Sequence, residues 1–144
     1  MTARTHAPAP ARFARDQSGA VAVEFVLIAP ILFALLFGII TLGYFMGLSH
    51  SVNQLAAGAA RASVAGLNTD ERAQLADAYL AEAGTRYPLL VSEAVTPTVT
   101  FDNTISAGIT VNISYDLDGS FLDVANGLLK LDMETLNGSA YLAY

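Results

Sequence analysis

Glu24 is the only charged side chain between residues 20 and 48, a run otherwise made of apolar and small residues. An ionisable group in such a run is costly to keep, which makes it a functional-site hypothesis by default. A lone carboxylate there can pass a proton or pair with a cation. Proton transfer needs partner carboxylates or histidines, and the run supplies neither. Gly19 stands five residues ahead of Glu24, behind a short stretch that carries Arg4, Arg12 and Arg15. Basic leader, glycine, glutamate and apolar run, in that order, constrain function more than any other feature of the chain.

Other chemistries find few residues to use. No cysteine is present, so disulfide and thiol chemistry are excluded. His6 and His50 are far apart and have no cysteine to share a zinc with. Asp116-x-Asp118-Gly119 resembles the start of a calcium loop but lacks the later ligands and the terminal glutamate, and reads better as a turn. Asn112-Ile113-Ser114 and Asn137-Gly138-Ser139 fit a glycosylation tripeptide that is frequent by chance. Tyr79, Tyr87, Tyr115, Tyr141 and Tyr144 read as core or rim aromatics. No phosphate loop or cluster of acids in an apolar setting emerges, so the expectation is a chain that is not an enzyme, with no cofactor and no metal.

The elements that position Glu24 follow from hydropathy. At about 1.5 Å per helical residue, the run 20–48 spans a bilayer with room for tilt. Charge sets its direction. Before Gly19 there are three arginines and one acid, and after it Arg61, Arg72, Arg86 and Lys130 face twelve acids, for a net charge of −6. Basic residues beside the first membrane helix hold that end in the cytoplasm, so the acidic remainder lies outside, where its charge disfavours nucleic acid. Residues 1–19 read as a cytoplasmic leader, 20–48 as the membrane helix, 49–66 as its polar, alanine-rich extension, and 67–144 as a small head. Pro30 frees the carbonyl of Val26 and predicts a kink or loosened turn. Gly38 and the Gly43-x-x-x-Gly47 pair offer close helix approach.

Within the head, Asn68 and Glu71 resemble a capping box, and the stripe Leu75, Ala76, Tyr79, Leu80 and Ala83 predicts a helix that Gly84 ends. From Val95 the period becomes two. Strands over 95–102 and 109–117, joined by a loop at 103–108, fit the alternation, and Pro97 places the first on an edge. A third strand shifts parity between Leu131, Met133 and Leu136, Ala140, Leu142, which calls for a bulge or turn near Asn137–Gly138. The fold class is therefore α+β, with a long N-terminal helix, a second short helix and a small antiparallel sheet.

The junction Gly19-Ala20-Val21-Ala22-Val23-Glu24-Phe25 resembles the processing site of type IV prepilins and pseudopilins. The wider stretch from Gln17 to Pro30 is similar to the TadE-like pseudopilins of the tight-adherence (Tad/Flp) type IVb pilus system. The resemblance is strongest from Asp16 to about Arg61. It implies cleavage after Gly19 by a membrane prepilin peptidase, leaving Ala20 as the N-terminus and Glu24 as the glutamate five residues in, followed by Phe25. In a bundle of such helices Glu24 of one subunit can pair with the Ala20 ammonium of its neighbour, an interaction that depends on axial register. Snorkelling at the bilayer edge is the plainer role for the same carboxylate.

The expected function is a minor pilin that assembles or initiates a pilus used in cell adhesion. Its partners would be the inner membrane of a bacterium, the prepilin peptidase, other pilins or pseudopilins and the assembly platform. The competing reading is an uncleaved, single-pass, membrane-anchored binding or sensing module with the head outside. A cleaved secretory signal is weaker, because the run is too long and the Ala57-x-Ala59 pattern lies well beyond its end.

Overall fold

The computed structural model describes residues 17–102, 107–130 and 133–144. The leader arginines, residues 103–106 of the predicted strand loop, and Leu131 lie outside the described residues. The chain divides into two compact units, one ending at Ile40 and the other running from Thr41 to Tyr144.

Helix α1 is Gln17–Ser63. It starts three residues ahead of the predicted Ala20 and runs through Pro30 without leaving helical geometry. It stops at Ser63, short of Gly66. The Gly66 N–H donates to the Ser63 carbonyl at 3.0 Å, while the buried Ser63 hydroxyl donates to the Ala60 carbonyl at 2.7 Å. Gly66 matters for a different reason. A Cβ there would meet the backbone nitrogen of Arg72 at 2.7 Å, so its bareness lets the next helix come in close.

That helix, α2, is Thr69–Ala81. Asn68 caps it, its side-chain oxygen accepting from the Glu71 N–H at 2.9 Å. The return bond of the box goes one residue further back: Glu71 accepts from the Leu67 N–H at 2.8 Å. Ala76 and Leu80 are buried while Asp77 and Glu82 face water, as the stripe predicts. Gly84 does not end the helix. α2 stops at Ala81, and Gly84 sits inside a one-turn helix α3, Ala83–Arg86, where its N–H donates to the Ser92 hydroxyl at 3.2 Å.

A 3-10 turn, Ser92–Ala94, leads into an antiparallel sheet of β1 Val95–Asp102, β2 Gly108–Asp116 and β3 Thr135–Ala143, in the order β1-β2-β3. Pro97 is exposed on the edge strand, where its missing N–H breaks no central ladder. Central β2 supplies the core with Ile109, Val111, Ile113 and Tyr115. Its partners in register are Val99 and Ala140 beside Val111, and Phe101 and Leu142 beside Ile109. β3 needs no bulge: its pairing is continuous, with Asn137 opposite Ser114 and Gly138 opposite Ile113. The parity break falls before the strand begins, and Gly138 takes a buried place in step with Leu136. A Cβ on it would lie 2.7 Å from Val52 Cγ1, so the glycine sets how close the sheet comes to α1.

A further helix was not anticipated. α4, Phe121–Leu129, is capped by Ser120, whose hydroxyl accepts from the Asp123 N–H at 3.4 Å, and it buries Leu122 and Ala125. The preceding Asp116–Gly119 stretch is the expected turn: Asp116 accepts from the Asp118 N–H at 3.0 Å, and Gly119 has φ of 68°. The architecture is α+β.

Candidate assembly segment

From Gly19 to Ile40 almost every position of α1 is exposed. Phe25, Leu27 and Ile31 are each more than 60% accessible, and in the most apolar stretch of the helix only 6% is buried within the protein. A core helix hides such residues; this one presents them all round. Residues 20–40 rise about 31 Å, close to a hydrocarbon core of about 30 Å. This is a helix long and apolar enough to cross a membrane.

Glu24 sits on this bare surface, exposed, with no ion-pair or hydrogen-bond partner among the described residues. Helical spacing puts it one turn beyond Ala20 on the same face. Its carboxylate is therefore in reach of whatever stands at position 20, on its own helix or on a parallel neighbour shifted along the axis. Phe25, next to it, is equally bare. The Gly19–Ala20 peptide bond lies near the start of the described helix Gln17–Ser63.

The three glycines of the packing hypothesis separate. Gly38 and Gly43 have open space where a Cβ would be, whereas a Cβ on Gly47 would lie 3.1 Å from Leu89 Cδ1. Gly47 thus serves contact inside the head, and Gly38 and Gly43 meet open space. Sequence gave no sign of that difference, because the contact comes from a loop forty residues away.

Inside the second unit, α1 has a covered side. Thr41, Leu48, Val52, Leu55, Ala59 and Ser63 are buried at helical spacing, and Tyr44 meets Phe121 edge-on at 5.7 Å between ring centroids. Polar contacts tie the elements of the head together. The Arg72 guanidinium lies 3.7 Å over the Tyr144 ring and donates through Nε to the Gly66 carbonyl at 3.0 Å. Arg86 pairs with Glu82 at 2.6 Å and lies over Tyr79. The Tyr79 and Tyr87 hydroxyls meet at 3.3 Å. Burial first, and then that contact, raise the Tyr87 phenol above its ordinary value.

No curated protein and no solved structure gives a significant match to this chain. One family model does, described as TadE-like protein, over residues 19–61. The match opens on Gly19, contains Glu24 and Pro30, and stops at Arg61, two residues before α1 ends. Over residues 19–61 the chain is similar to the TadE-like family model.

Proposed function

We propose that the chain is a TadE-like pseudopilin, a structural and non-catalytic component of a tight-adherence pilus, made as a precursor and inserted once in the bacterial inner membrane with its head outside. The observation that carries this reading is the coincidence of the TadE-like match with the bare helix, beginning at Gly19 and holding one carboxylate five residues on. Cleavage after Gly19 by a prepilin peptidase would give Ala20 a free ammonium. Glu24 then has a cation to meet in an apolar medium, either across one turn of its own helix or on a neighbouring pilin. Only the second arrangement fixes register between subunits.

Intact-mass measurement on membrane-extracted protein tests the processing step. Loss of residues 1–19 is expected in cells with an active prepilin peptidase, and Gly19→Leu should block it. Retention of the full chain in those cells would favour the anchored binding module instead. Glu24→Gln separates cutting from assembly, since it keeps the side-chain size and removes the charge. It should be cut and inserted normally, yet co-purify poorly with other pilus components. Breaking a buried pair from one side costs about 3–5 kcal/mol, enough to lower an assembly constant by orders of magnitude. Normal piliation in that variant would reduce Glu24 to a tolerated interfacial charge.

A further inference from the structure

The sheet of the head ends in two different kinds of edge. The Leu117 N–H donates to the Glu134 carbonyl and the Tyr144 N–H to the Ala107 carbonyl, each at 3.0 Å, and both pairs continue the β2–β3 register. In an antiparallel ladder, hydrogen-bonded pairs alternate with pairs whose backbone groups point the other way. Even-numbered residues of β3 therefore bond to β2, and Thr135, Asn137, Ser139, Tyr141 and Ala143 turn both N–H and C=O to the outer side. Among the described residues, no backbone bond takes up these outward groups. The same alternation turns the odd-numbered residues of β1 outward, and there Pro97 has no N–H to offer.

Edges are guarded in most sheets by proline, charge, bulges or short length, because unpaired strand groups recruit another strand. β1 has Pro97 at an outward position and α2 packed against it. β3 has none of these guards. It runs nine residues, pairs without a bulge and holds no proline and no charged residue, in a chain of net charge −6. Its two faces define the strand that fits beside it. On the inner side Leu136 and Gly138 are buried and Ala140 and Leu142 half-buried, while the residues whose backbone points outward carry exposed side chains on the other side.

We propose that the outer edge of β3 is a strand-addition site for an extended, uncharged segment of a different polypeptide, with apolar side chains beside Leu136 and Leu142 and small polar ones beside Asn137 and Ser139. A second copy matches this pattern through its own β3 but fails on the direction of its helix. Antiparallel pairing of two β3 strands about Ser139 has its two-fold axis normal to the sheet. α1 packs on the inner face, with Val52 against Gly138, and that axis reverses any helix lying along the sheet. Two chains entering from one membrane through α1 cannot pair in this way. Pairing with the β1 edge of a second copy meets Pro97 instead. The choice of a different polypeptide rests on the membrane reading of α1; neither it nor the open edge depends on cleavage or pilus assembly.

The full chain, isotope-labelled, is placed at one copy per nanodisc, and amide hydrogen exchange is read residue by residue by NMR. The probe is a soluble peptide of alternating threonine and valine, blocked at both ends. Its control is the same peptide N-methylated throughout, which keeps the side chains and lacks the donors. At about twice the peptide's Kd, the Asn137, Ser139 and Tyr141 amides should exchange about threefold more slowly, with those of Val99 and Phe101 on the β1 edge unchanged. Ser139→Pro takes only an outward N–H from the ladder and should abolish the slowing at 137 and 141. Should that variant not fold, the N-methylated peptide makes the same test. No slowing up to about 5 mM peptide, or equal slowing by the N-methylated peptide, would overturn strand addition. Equal slowing on β1 would overturn the choice of edge. Slowing without peptide that appears only at several copies per disc would assign the edge to a second copy and overturn the proposed partner.

Discussion

Between residues 20 and 40 α1 carries valine, leucine, isoleucine and phenylalanine on every side; between 48 and 63 its covered positions are Leu48, Ser51, Val52, Leu55, Ala56, Gly58, Ala59, Ala60 and Ser63, most of them small. The first stretch is bare and the second is covered by strands and helices of the head. Size follows surroundings. A helix meeting hydrocarbon gains from large side chains all round, whereas one under a sheet needs small ones where backbones approach. Gly58 is the extreme case: a Cβ there would collide with the Tyr79 hydroxyl. The alanine-rich stretch suits a helix by propensity, but its composition is set by the head that lies on it.

A paired truncation breaks this comparison if it is wrong. Leu55 is fully buried, so Leu55→Ala should cost the head about 2–5 kcal/mol in urea unfolding. Leu36 is 55% exposed in the bare stretch, and Leu36→Ala should leave the head transition where it was. Unfolding followed in nanodiscs by the fluorescence of the head tyrosines reads both. Equal losses would mean that the bare stretch and the head unfold as one cooperative unit, and the division at Ile40 would lose its energetic meaning.

The capped edge of the head sharpens the same contrast at a smaller scale. The start of α1 has no acidic residue in its first turn, while α2 is closed by Asn68 and Glu71. Asn68→Ala should therefore destabilise the head by about 1 kcal/mol, and Asn68→Ser should keep most of it. A shift of the urea midpoint with unchanged slope is the expected signature. No shift for Asn68→Ala would show that water replaces the cap without loss.

These elements differ in how plainly the sequence announced them. Asn68 and Glu71 were readable because a cap is a local device with fixed spacing, and β1 and β2 because alternation reports a half-buried face. β3 misled for a physical reason: its buried position at residue 138 is a glycine, invisible to any count of apolar side chains. α4 went unread although Ser120-x-x-Asp123 is a start signal, since Asn126–Gly127 looks like a turn and nine residues give little period. Gly19, Glu24 and Phe25 are singled out by spacing and family resemblance alone. What no pattern could supply is that Gly47 belongs to Leu89 while Gly43 stays open, because that choice is made by tertiary contact.

The smallest expected effect concerns pH. The Tyr87 phenol is raised above the usual 10.0, first by burial, then by the hydroxyl contact and charge of Tyr79, against the lowering pull of Arg61 and Arg86. A tyrosine harder to ionise in the folded head than in the unfolded chain favours folding fully below the unfolded value. That contribution is lost as pH rises through the higher folded value, since the unfolded chain then gives up its proton first. Urea unfolding at pH 8 and at pH 11 should show an alkaline loss of stability in the native chain, and a smaller one in Tyr87→Phe. An alkaline loss that is the same with and without the Tyr87 hydroxyl would place it elsewhere in the head.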